Sequence, residues 1–353
     1  MRINVLVVDD SAFMRRAITK ILEVEGIEVC GTARNGEEAI LKLAQLRPDV
    51  ITMDVEMPGM GGLEAVREIA AQSNVPIIMV SSLTQEGADT TFRALELGAV
   101  DFIAKPDSAY VNIKDVARDL VAKVRTFARR PVTRLPLPQP KVYLPSILEP
   151  PEVVRSSFEC VAIGSSTGGP VALSQIVPRL PADFPVPIVI VQHMPAGFTR
   201  PLADRLNAAS KIEVVEGELG TVLRAGQAII APAGRQLTLR RVPGSQDVEV
   251  AVISDLGGSL HVPSVDVMAA SVANTFGAAT LAAILTGMGQ DGVLGLRRVK
   301  ELGGFVIGQD AATCVVYGMP RAAAQAGLVD RVLPLGEIAP ALCELTNTTF
   351  ARS

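Results

Sequence analysis

One of the chain's two histidines follows soon after a glycine-rich serine motif. Gly164-x-Ser166-x-Gly168 fits the G-x-S-x-G pattern of a nucleophile elbow between a strand and a helix. A helix-capping serine in a tight turn would fit this motif equally well by itself. His193 ends the next predicted strand, where it could serve as a general base. The turn lacks the lysine of a P-loop and the G-x-G start of a dinucleotide loop, so the pattern favours a nucleophilic serine over nucleotide binding.

A histidine base needs a carboxylate to orient its ring and stabilise its charged form. The strongest candidate is Asp291, which lies in the glycine-rich segment Leu285–Gly292. Backbone amides of such a turn could also stabilise an oxyanion. Asp266 and Asp310 are competing acids, although either could simply cap a helix or turn. The order serine, histidine, acid along the chain differs from that of ordinary α/β-hydrolases, which predicts similar chemistry on a different fold.

A second group of reactive side chains lies in the N-terminal third of the chain. Asp9 and Asp10 end the first predicted strand, and Asp54 ends the third. Carboxyl ends of parallel strands meet at one edge of a sheet, so these anions would repel one another unless a cation such as Mg²⁺ neutralised them. Ser81 follows the fourth predicted strand and Lys105 the fifth, and a lysine there suits a phosphoryl group. One aspartate at a strand end would be unremarkable, but the set indicates a magnesium and phosphoryl site.

Short apolar runs alternate with amphipathic stretches throughout the chain, a pattern typical of parallel sheets covered by helices on both faces. We therefore predict an α/β fold with two doubly wound parallel-sheet domains, flavodoxin-like in the first and Rossmann-like in the second. The predicted strands are 3–8, 29–32, 50–53, 77–80 and 102–104 in the first half, then 161–163, 188–191, 228–230, 281–285 and 305–307, with a hairpin over 237–241 and 248–253.

A proline-rich segment separates the two halves. Seven of the 21 residues from Pro131 to Pro151 are proline, a density that excludes a regular helix and favours an extended linker. We predict a first domain over residues 1–128, a linker over 129–157 and a second domain over 158–350.

Composition excludes several classes of protein. A formal net charge of −4 and a pI near 5.4 disfavour nucleic-acid binding. Aspartates interrupt the first apolar run, and no stretch is long enough to span a membrane, so we predict a cytoplasmic protein without membrane insertion. The four cysteines form no C-x-x-C pair, which argues against a zinc site or a disulfide framework.

The motifs VLVVDDS, MDVEMPGMGG, VSS and DFIAKP resemble the signature of response-regulator receiver domains, and they cover nearly all of residues 1–125. The resemblance implies that a chemotaxis histidine kinase supplies a phosphoryl group to Asp54. It also implies that Mg²⁺ is bound by Asp9, Asp10, Asp54 and the backbone carbonyl of Glu56, that Lys105 pairs with the phosphoryl oxygens, that Ser81 is the switch hydroxyl and that Phe102 is the switch aromatic.

After the linker, the motifs IGSSTGGP, QHMP, APAG, HVPSVDVM, LTGMGQDG and QDAATCVVYGMP resemble the catalytic domain of chemotaxis protein-glutamate methylesterases over roughly residues 158–345. The resemblance implies hydrolysis of glutamate γ-methyl esters on methyl-accepting chemoreceptors, deamidation of receptor glutamines, and no cofactor in the esterase site. It further implies that Ser166 is the nucleophile, His193 the base, Asp291 its orienting acid and the Met288 amide an oxyanion donor, with Thr167 beside the nucleophile. Val262 departs from the pattern, which has a basic residue there.

Two alternatives stay open at this point. A lipase-like esterase could use Ser166 with His261 and Asp255, and a non-catalytic adaptor could bind a partner through the glycine-rich loops of the second domain. If the chain is a regulated esterase, we expect the receiver to cover the esterase cleft until Asp54 is phosphorylated.

Overall fold

A computed structural model describes residues 2–82, 84–105, 113–128, 158–254 and 261–346. The chain divides into two compact units, each with its own parallel sheet. The predicted α/β fold class is confirmed. The predicted linker, residues 129–157, lies outside the described residues.

The first unit contains a five-stranded parallel sheet in the order β2-β1-β3-β4-β5, which is a doubly wound arrangement. All the residues of β3, β4 and β5 are buried, as expected when helices cover both faces. Its strands are β1 (Asn4–Val8), β2 (Glu28–Ala33), β3 (Val50–Asp54), β4 (Ile77–Ser81) and β5 (Asp101–Ala104), and its helices are α1 (Ala12–Val24), α2 (Gly36–Leu46), α3 (Gly62–Gln72), α4 (Gln85–Glu96) and α5 (Ile113–Phe127).

The second unit contains a seven-stranded parallel sheet in the order β14-β13-β12-β6-β7-β9-β8 and a separate antiparallel hairpin, β10-β11. The strands are β6 (Cys160–Ser165), β7 (Ile188–Gln192), β8 (Glu213–Glu216), β9 (Gln227–Ile230), β10 (Gln236–Arg241), β11 (Val248–Ile253), β12 (Thr280–Ile284), β13 (Phe305–Gln309) and β14 (Arg331–Leu333). The helices between residues 169 and 345 are α6 (Gly169–Ile176), α7 (Thr199–Ala209), α8 (Val265–Phe276), α9 (Val293–Glu301), α10 (Met319–Gln325) and α11 (Leu335–Leu345).

The sequence missed the two strands at the edges of this sheet. Strand β8 has one buried residue among four, and β14 has none among three. Edge strands are buried on fewer sides, so they lack the continuous apolar runs that identify a central strand. The central strands lie within one or two residues of their predicted bounds.

The four cysteines are free thiols, and three of them are buried. In the part of the chain that the structure describes, no helix has both the length and the apolar character needed to cross a bilayer.

Candidate functional site

Three adjacent strands in the middle of the second sheet bring the predicted esterase residues to one edge. Strand β6 pairs with β7 on one side and β12 on the other, so the chain reverses its direction of winding at β6. Ligand sites in open parallel sheets form at such a switch point, beyond the carboxyl ends of the strands. Ser166 directly follows β6, His193 directly follows β7, and Asp291 lies in the loop after β12.

The turn between β6 and α6 depends on glycine. Gly168 has φ +78°, a left-handed conformation that side chains rarely adopt, and a Cβ there would lie 2.6 Å from Val315. Gly169 approaches the neighbouring strand so closely that a Cβ would lie 1.8 Å from Oε1 of Gln192. The turn leaves Ser166 partly exposed at the sheet edge, while its amide donates to the carbonyl of Thr286 at 3.0 Å.

His193 and Asp291 form a direct side-chain pair. Nε2 of His193 lies 2.7 Å from Oδ2 of Asp291, although 98 residues separate them along the chain. Both side chains are more than nine-tenths buried. Nδ1 of His193 is buried and has no hydrogen-bond partner among the described residues. One ring nitrogen is therefore held by a carboxylate, and the other remains available to a reacting group.

Strand register brings His193 and Ser166 to corresponding positions. Ser165 and Gln192, the last residues of β6 and β7, are register partners. The amide of His193 then donates to the carbonyl of Ser165 at 3.0 Å, which continues the ladder by one residue. The serine and the histidine thus leave the sheet side by side.

The carboxylate of Asp291 is surrounded by hydrogen-bond donors. Oδ1 accepts from the Ser264 hydroxyl at 2.8 Å, and Oδ2 accepts from the Val265 amide at 2.7 Å. These donors belong to the first turn of α8, whose positive dipole end also favours an anion. The hydrogen bond and charge of His193, with these amides, outweigh burial and hold the pKa of Asp291 well below its usual range. Asp291 is therefore a fixed anion against the imidazole.

Several backbone amides near Ser166 form hydrogen bonds within the fold. The amide of Gly287 donates to Val316 at 3.0 Å, and the amide of Ser166 is already paired. The Thr286 hydroxyl donates to the carbonyl of Thr167 at 2.9 Å, which fastens the nucleophile turn to the loop that carries Met288. Thr167 is 4% exposed beside Ser166. Met288, the predicted oxyanion donor, and Thr167 thus lie on two segments that the fold joins.

Sequence reasoning missed a contact made by Gln192. Its Nε2 donates to the carbonyl of Ser166 at 2.8 Å and to that of His193 at 2.9 Å, and its Oε1 accepts from the Ser165 hydroxyl at 2.7 Å. Gln192 is buried. A strand-terminal glutamine carries no sequence signal for such a role, because its partners are backbone carbonyls.

The other histidine and the competing acids have different surroundings. His261 stacks on His193 with ring centroids 4.2 Å apart, and Asp255, its proposed partner in the lipase-like alternative, lies outside the described residues. Asp310 accepts from the amide and hydroxyl of Thr313, as a turn-forming aspartate does. Val262 donates no side-chain hydrogen bond, and its carbonyl accepts from Gly234.

The predicted acidic cluster of the first unit is assembled at the carboxyl edge of its sheet. Carboxylate oxygens of Asp9, Asp10 and Asp54 lie within 4.8 Å of one another. Nζ of Lys105 lies 2.8 Å from Oδ2 of Asp54 and 3.7 Å from Oδ2 of Asp9. Burial raises the pKa of Asp54 to about 6 despite the opposing hydrogen bond from Lys105. Burial likewise raises the pKa of Asp9.

This cluster fits a magnesium ion. Oδ2 of Asp9 is buried and lacks a hydrogen bond among the described residues, and Mg²⁺ prefers a few carboxylates with water and phosphate oxygens. The amide of Glu56 reaches Oδ1 of Asp54 at 3.4 Å, so the backbone of Glu56 lies beside the cluster. A bound divalent cation would neutralise the anions whose burial raises these pKa values.

The remaining receiver residues are in defined hydrogen-bond networks. The Ser81 hydroxyl is buried and bonds the Thr91 hydroxyl at 2.8 Å and the Gly87 carbonyl at 3.2 Å. The backbone carbonyl of Phe102 accepts from Nζ of Lys123 at 2.6 Å, and this lysine also pairs with Asp101 at 3.2 Å. The Phe102 ring is buried.

These two sites define the class of protein: a receiver domain joined to an α/β hydrolase whose histidine is paired with an aspartate. Comparisons with known proteins agree. The family CheB methylesterase matches residues 161–342, and the family Response regulator receiver domain matches residues 5–114. The protein-glutamate methylesterase/protein-glutamine glutaminase of Archaeoglobus fulgidus is 46% identical over 95% of this chain and 96% of its own length. A protein of the same name from Vibrio cholerae is 44% identical over 96% of this chain and 97% of its own length.

Among solved structures, the CheB methylesterase catalytic domain of Thermotoga maritima is similar with a TM-score of 0.52 and 43% identity, and the match covers 54% of this chain and all of that one. This chain belongs to the protein-glutamate methylesterase/protein-glutamine glutaminase family. The family predicted from its motifs is confirmed, as is its class of activity, a carboxylic-ester hydrolase of chemotaxis controlled by a receiver domain.

Proposed function

We propose that Ser166 attacks the γ-carbonyl of a methylated glutamate on a methyl-accepting chemoreceptor and releases methanol. The observation that carries this proposal is the 2.7 Å pair between His193 and Asp291 at the end of the strand beside Ser166. A histidine held by a carboxylate next to a serine hydroxyl is the arrangement that activates a serine nucleophile.

The available nitrogen of His193, Nδ1, takes the proton of Ser166 as the hydroxyl attacks. Asp291 stabilises the imidazolium that forms and keeps the ring in place. The same nitrogen then gives this proton to the departing methoxide, which leaves as methanol. In the second step it removes a proton from the water that attacks the acyl-enzyme, and it returns that proton to Ser166 as the glutamate is released. A glutamine side chain follows the same route with ammonia as the leaving group, which accounts for deamidation.

Negative charge develops on the carbonyl oxygen during the attack. We assign its stabilisation to the backbone amide of Met288, as the family motif implies, and to that of Thr167, which directly follows Ser166 in the chain. The amide that follows a nucleophilic serine commonly fills this role. Loss of one oxyanion donor typically costs about 3 kcal/mol in transition-state stabilisation.

We propose that Asp54 receives the phosphoryl group from a chemotaxis histidine kinase. Asp9, Asp10 and Asp54, with the Glu56 carbonyl, would hold Mg²⁺, and the ion would neutralise charge on the phosphoryl oxygens. Lys105 pairs with the phosphoryl group. The Ser81 hydroxyl gives up its contact with Thr91 and hydrogen-bonds the phosphoryl group instead, and the ring of Phe102 changes position in response to this switch. The proposed domain limits are 1–128 and 158–350, and the cytoplasmic location stays a prediction.

The experiment measures methanol release from methylated receptor membranes, with and without an acyl-phosphate donor and Mg²⁺. The parent should release methanol faster with the donor, Ser166→Ala should release almost none, and Asp54→Asn should keep a basal rate that ignores the donor. Methanol release by Ser166→Ala at the parent rate would overturn the assignment. Full Asp54 phosphorylation with no hydrolysis by the parent would favour a non-catalytic adaptor.

A further inference from the structure

The N-termini of helices α8 and α9 lie next to each other, and each is capped by a carboxylate from the other segment. Asp266, in the first turn of α8, caps α9, and Asp291, in the loop before α9, caps α8. Oδ1 of Asp266, in the first turn of α8, accepts from the amides of Gly292 and Gly295 at 2.9 Å each. Those amides begin α9. In return, Asp291 accepts from the Val265 amide at 2.7 Å and the Asp266 amide at 3.1 Å, which begin α8.

The loop that carries Asp291 depends on this exchange for its conformation. Gly289 and Gly292 have φ values of +86° and +103°. Because glycine has access to many backbone conformations, the loop would adopt several of them unless other contacts held it. The helices approach so closely that a Cβ on Gly295 would lie 2.6 Å from the carbonyl oxygen of Asp266. Asp266 therefore ties the far end of the loop to α8.

The two carboxylates are close enough to influence each other. Both accept from the amide of Gly292, Asp266 at 2.9 Å and Asp291 at 3.1 Å. Burial, with the nearby charge of Asp291, raises the pKa of Asp266, whereas His193 and the α8 amides keep Asp291 ionised. The negative charge thus stays on the carboxylate that contacts the imidazole.

We propose that Asp266 is a positioning residue of the esterase, which caps α9 and thereby sets Asp291 against His193. The proposal rests on the roles of Asp291 and His193 in the proposed function. Asp266 acts through the loop that carries Asp291. Its effect on catalysis comes from the position of the oxygen that accepts the two amides and not from its negative charge. A displacement of about 1 Å in a catalytic group can lower a rate about a hundredfold.

The choice of side chain at position 266 separates geometry from charge. Asp266→Asn keeps an oxygen that accepts both amides but loses the charge. Asp266→Glu keeps the charge but moves the oxygens outward by one methylene, and Asp266→Ala removes both. If Asp266 acts by positioning, the Asn variant should have a higher kcat than the Glu variant. If its charge matters, the Glu variant should have the higher kcat.

The control is Asp330→Ala. Oδ2 of Asp330 also accepts a backbone amide, from Val306 at 2.8 Å, and the carboxylate pairs with Lys300. Val306 lies near the start of β13, at the opposite end of the strands from Asp291. This variant therefore removes a carboxylate that accepts a backbone amide, as Asp266 does, without disturbing the catalytic edge.

The experiment uses the full chain with acyl phosphate and Mg²⁺, and it measures kcat and KM for methanol release together with the thermal midpoint of each variant. We expect kcat to fall by about 10- to 100-fold for Asp266→Ala and for Asp266→Glu, with KM within about threefold of the parent. Asp266→Asn should keep kcat within about threefold, and Asp330→Ala should lower the midpoint but keep kcat within about twofold.

An Asn variant as slow as the Glu variant, or a Glu variant faster than the Asn variant, would overturn the positioning role. So would an unchanged kcat throughout the series. Ser166→Ala is measured alongside: if it is inactive while the position 266 series is flat, only this inference fails. If it releases methanol at the parent rate, the proposed function itself fails.

Discussion

The side-chain amide of Gln192 contacts the backbone of both proposed catalytic residues. Its two N–H groups are shared between the carbonyls of Ser166 and His193, and its oxygen is held by Ser165. A buried donor that loses its partner, or is replaced by an acceptor, costs about 1–3 kcal/mol. A single amide thus fixes the separation of nucleophile and base.

Gln192→Glu should lower kcat for methanol release by about tenfold or more, because a carboxylate would face two carbonyl oxygens that now accept hydrogen bonds. KM should change less, since this side chain is buried within the fold. The matched control is Ser165→Ala, which removes the third bond and leaves the other two, and it should retain most of kcat. Equal kcat losses in the two variants would argue against the role of the carbonyl contacts.

Asp54 should make the stability of the receiver depend on pH. Its pKa is raised to about 6, so the protonated form favours folding below about pH 4, and this contribution is lost as the pH rises through 6. At pH 7 the buried ionised carboxylate should cost up to about 3 kcal/mol.

Asp54→Asn should therefore raise the thermal midpoint of the receiver at pH 7, and the difference from the parent should shrink towards pH 4. Mg²⁺ should raise the midpoint of the parent more than that of the variant. Calorimetry at pH 4 and pH 7, with and without Mg²⁺, makes the comparison. A variant that is less stable than the parent at pH 7 would contradict the effect of burial.

At the scale of elements, the turn between β6 and α6 restricts which residue can occupy position 168, both by its backbone conformation and by its packing. Gly168 combines φ +78° with a close approach to Val315, whereas Gly327, after α10, has φ +70° and open space around its Cα. The two glycines share the conformational requirement and differ in packing.

Gly327→Ala should lower the free energy of unfolding by about 1 kcal/mol through backbone strain alone. Gly168→Ala should lower it by roughly 2–4 kcal/mol, because a Cβ 2.6 Å from Val315 adds overpacking to the strain. Urea denaturation of the full chain measures both. Similar losses for the two variants would show that the neighbouring loop yields to the new methyl group.

At the scale of the whole molecule, metal dependence should be confined to the receiver. Within the described residues, only Asp9, Asp10 and Asp54 form a group of three that could hold a metal ion. The proposed ester chemistry uses a hydroxyl, an imidazole and a carboxylate.

Chelation of divalent cations should therefore abolish the acyl-phosphate response while leaving the basal rate of methanol release within about twofold. Readdition of Mg²⁺ should restore the response in the parent, and Asp54→Asn should be indifferent to both treatments. Loss of the basal rate on chelation would indicate a metal requirement in the esterase. The expected covering of the esterase cleft by the receiver stays a prediction.

The sequence alone determined the fold class and the family, and it singled out the turns that carry Asp54 and Ser166. Buried strands are recognisable because they are apolar on both faces, and the turns are recognisable because glycine and aspartate are needed locally at their ends. The tertiary structure decided which carboxylate meets His193 and what holds it there. The sequence favoured Asp291 over Asp266 and Asp310, but only the packed structure shows that Asp291 lies 2.7 Å from Nε2 of His193. The contacts of the Gln192 amide and the reciprocal capping of α8 and α9 could not be predicted from the sequence either, because their partners are backbone groups that only tertiary packing brings close.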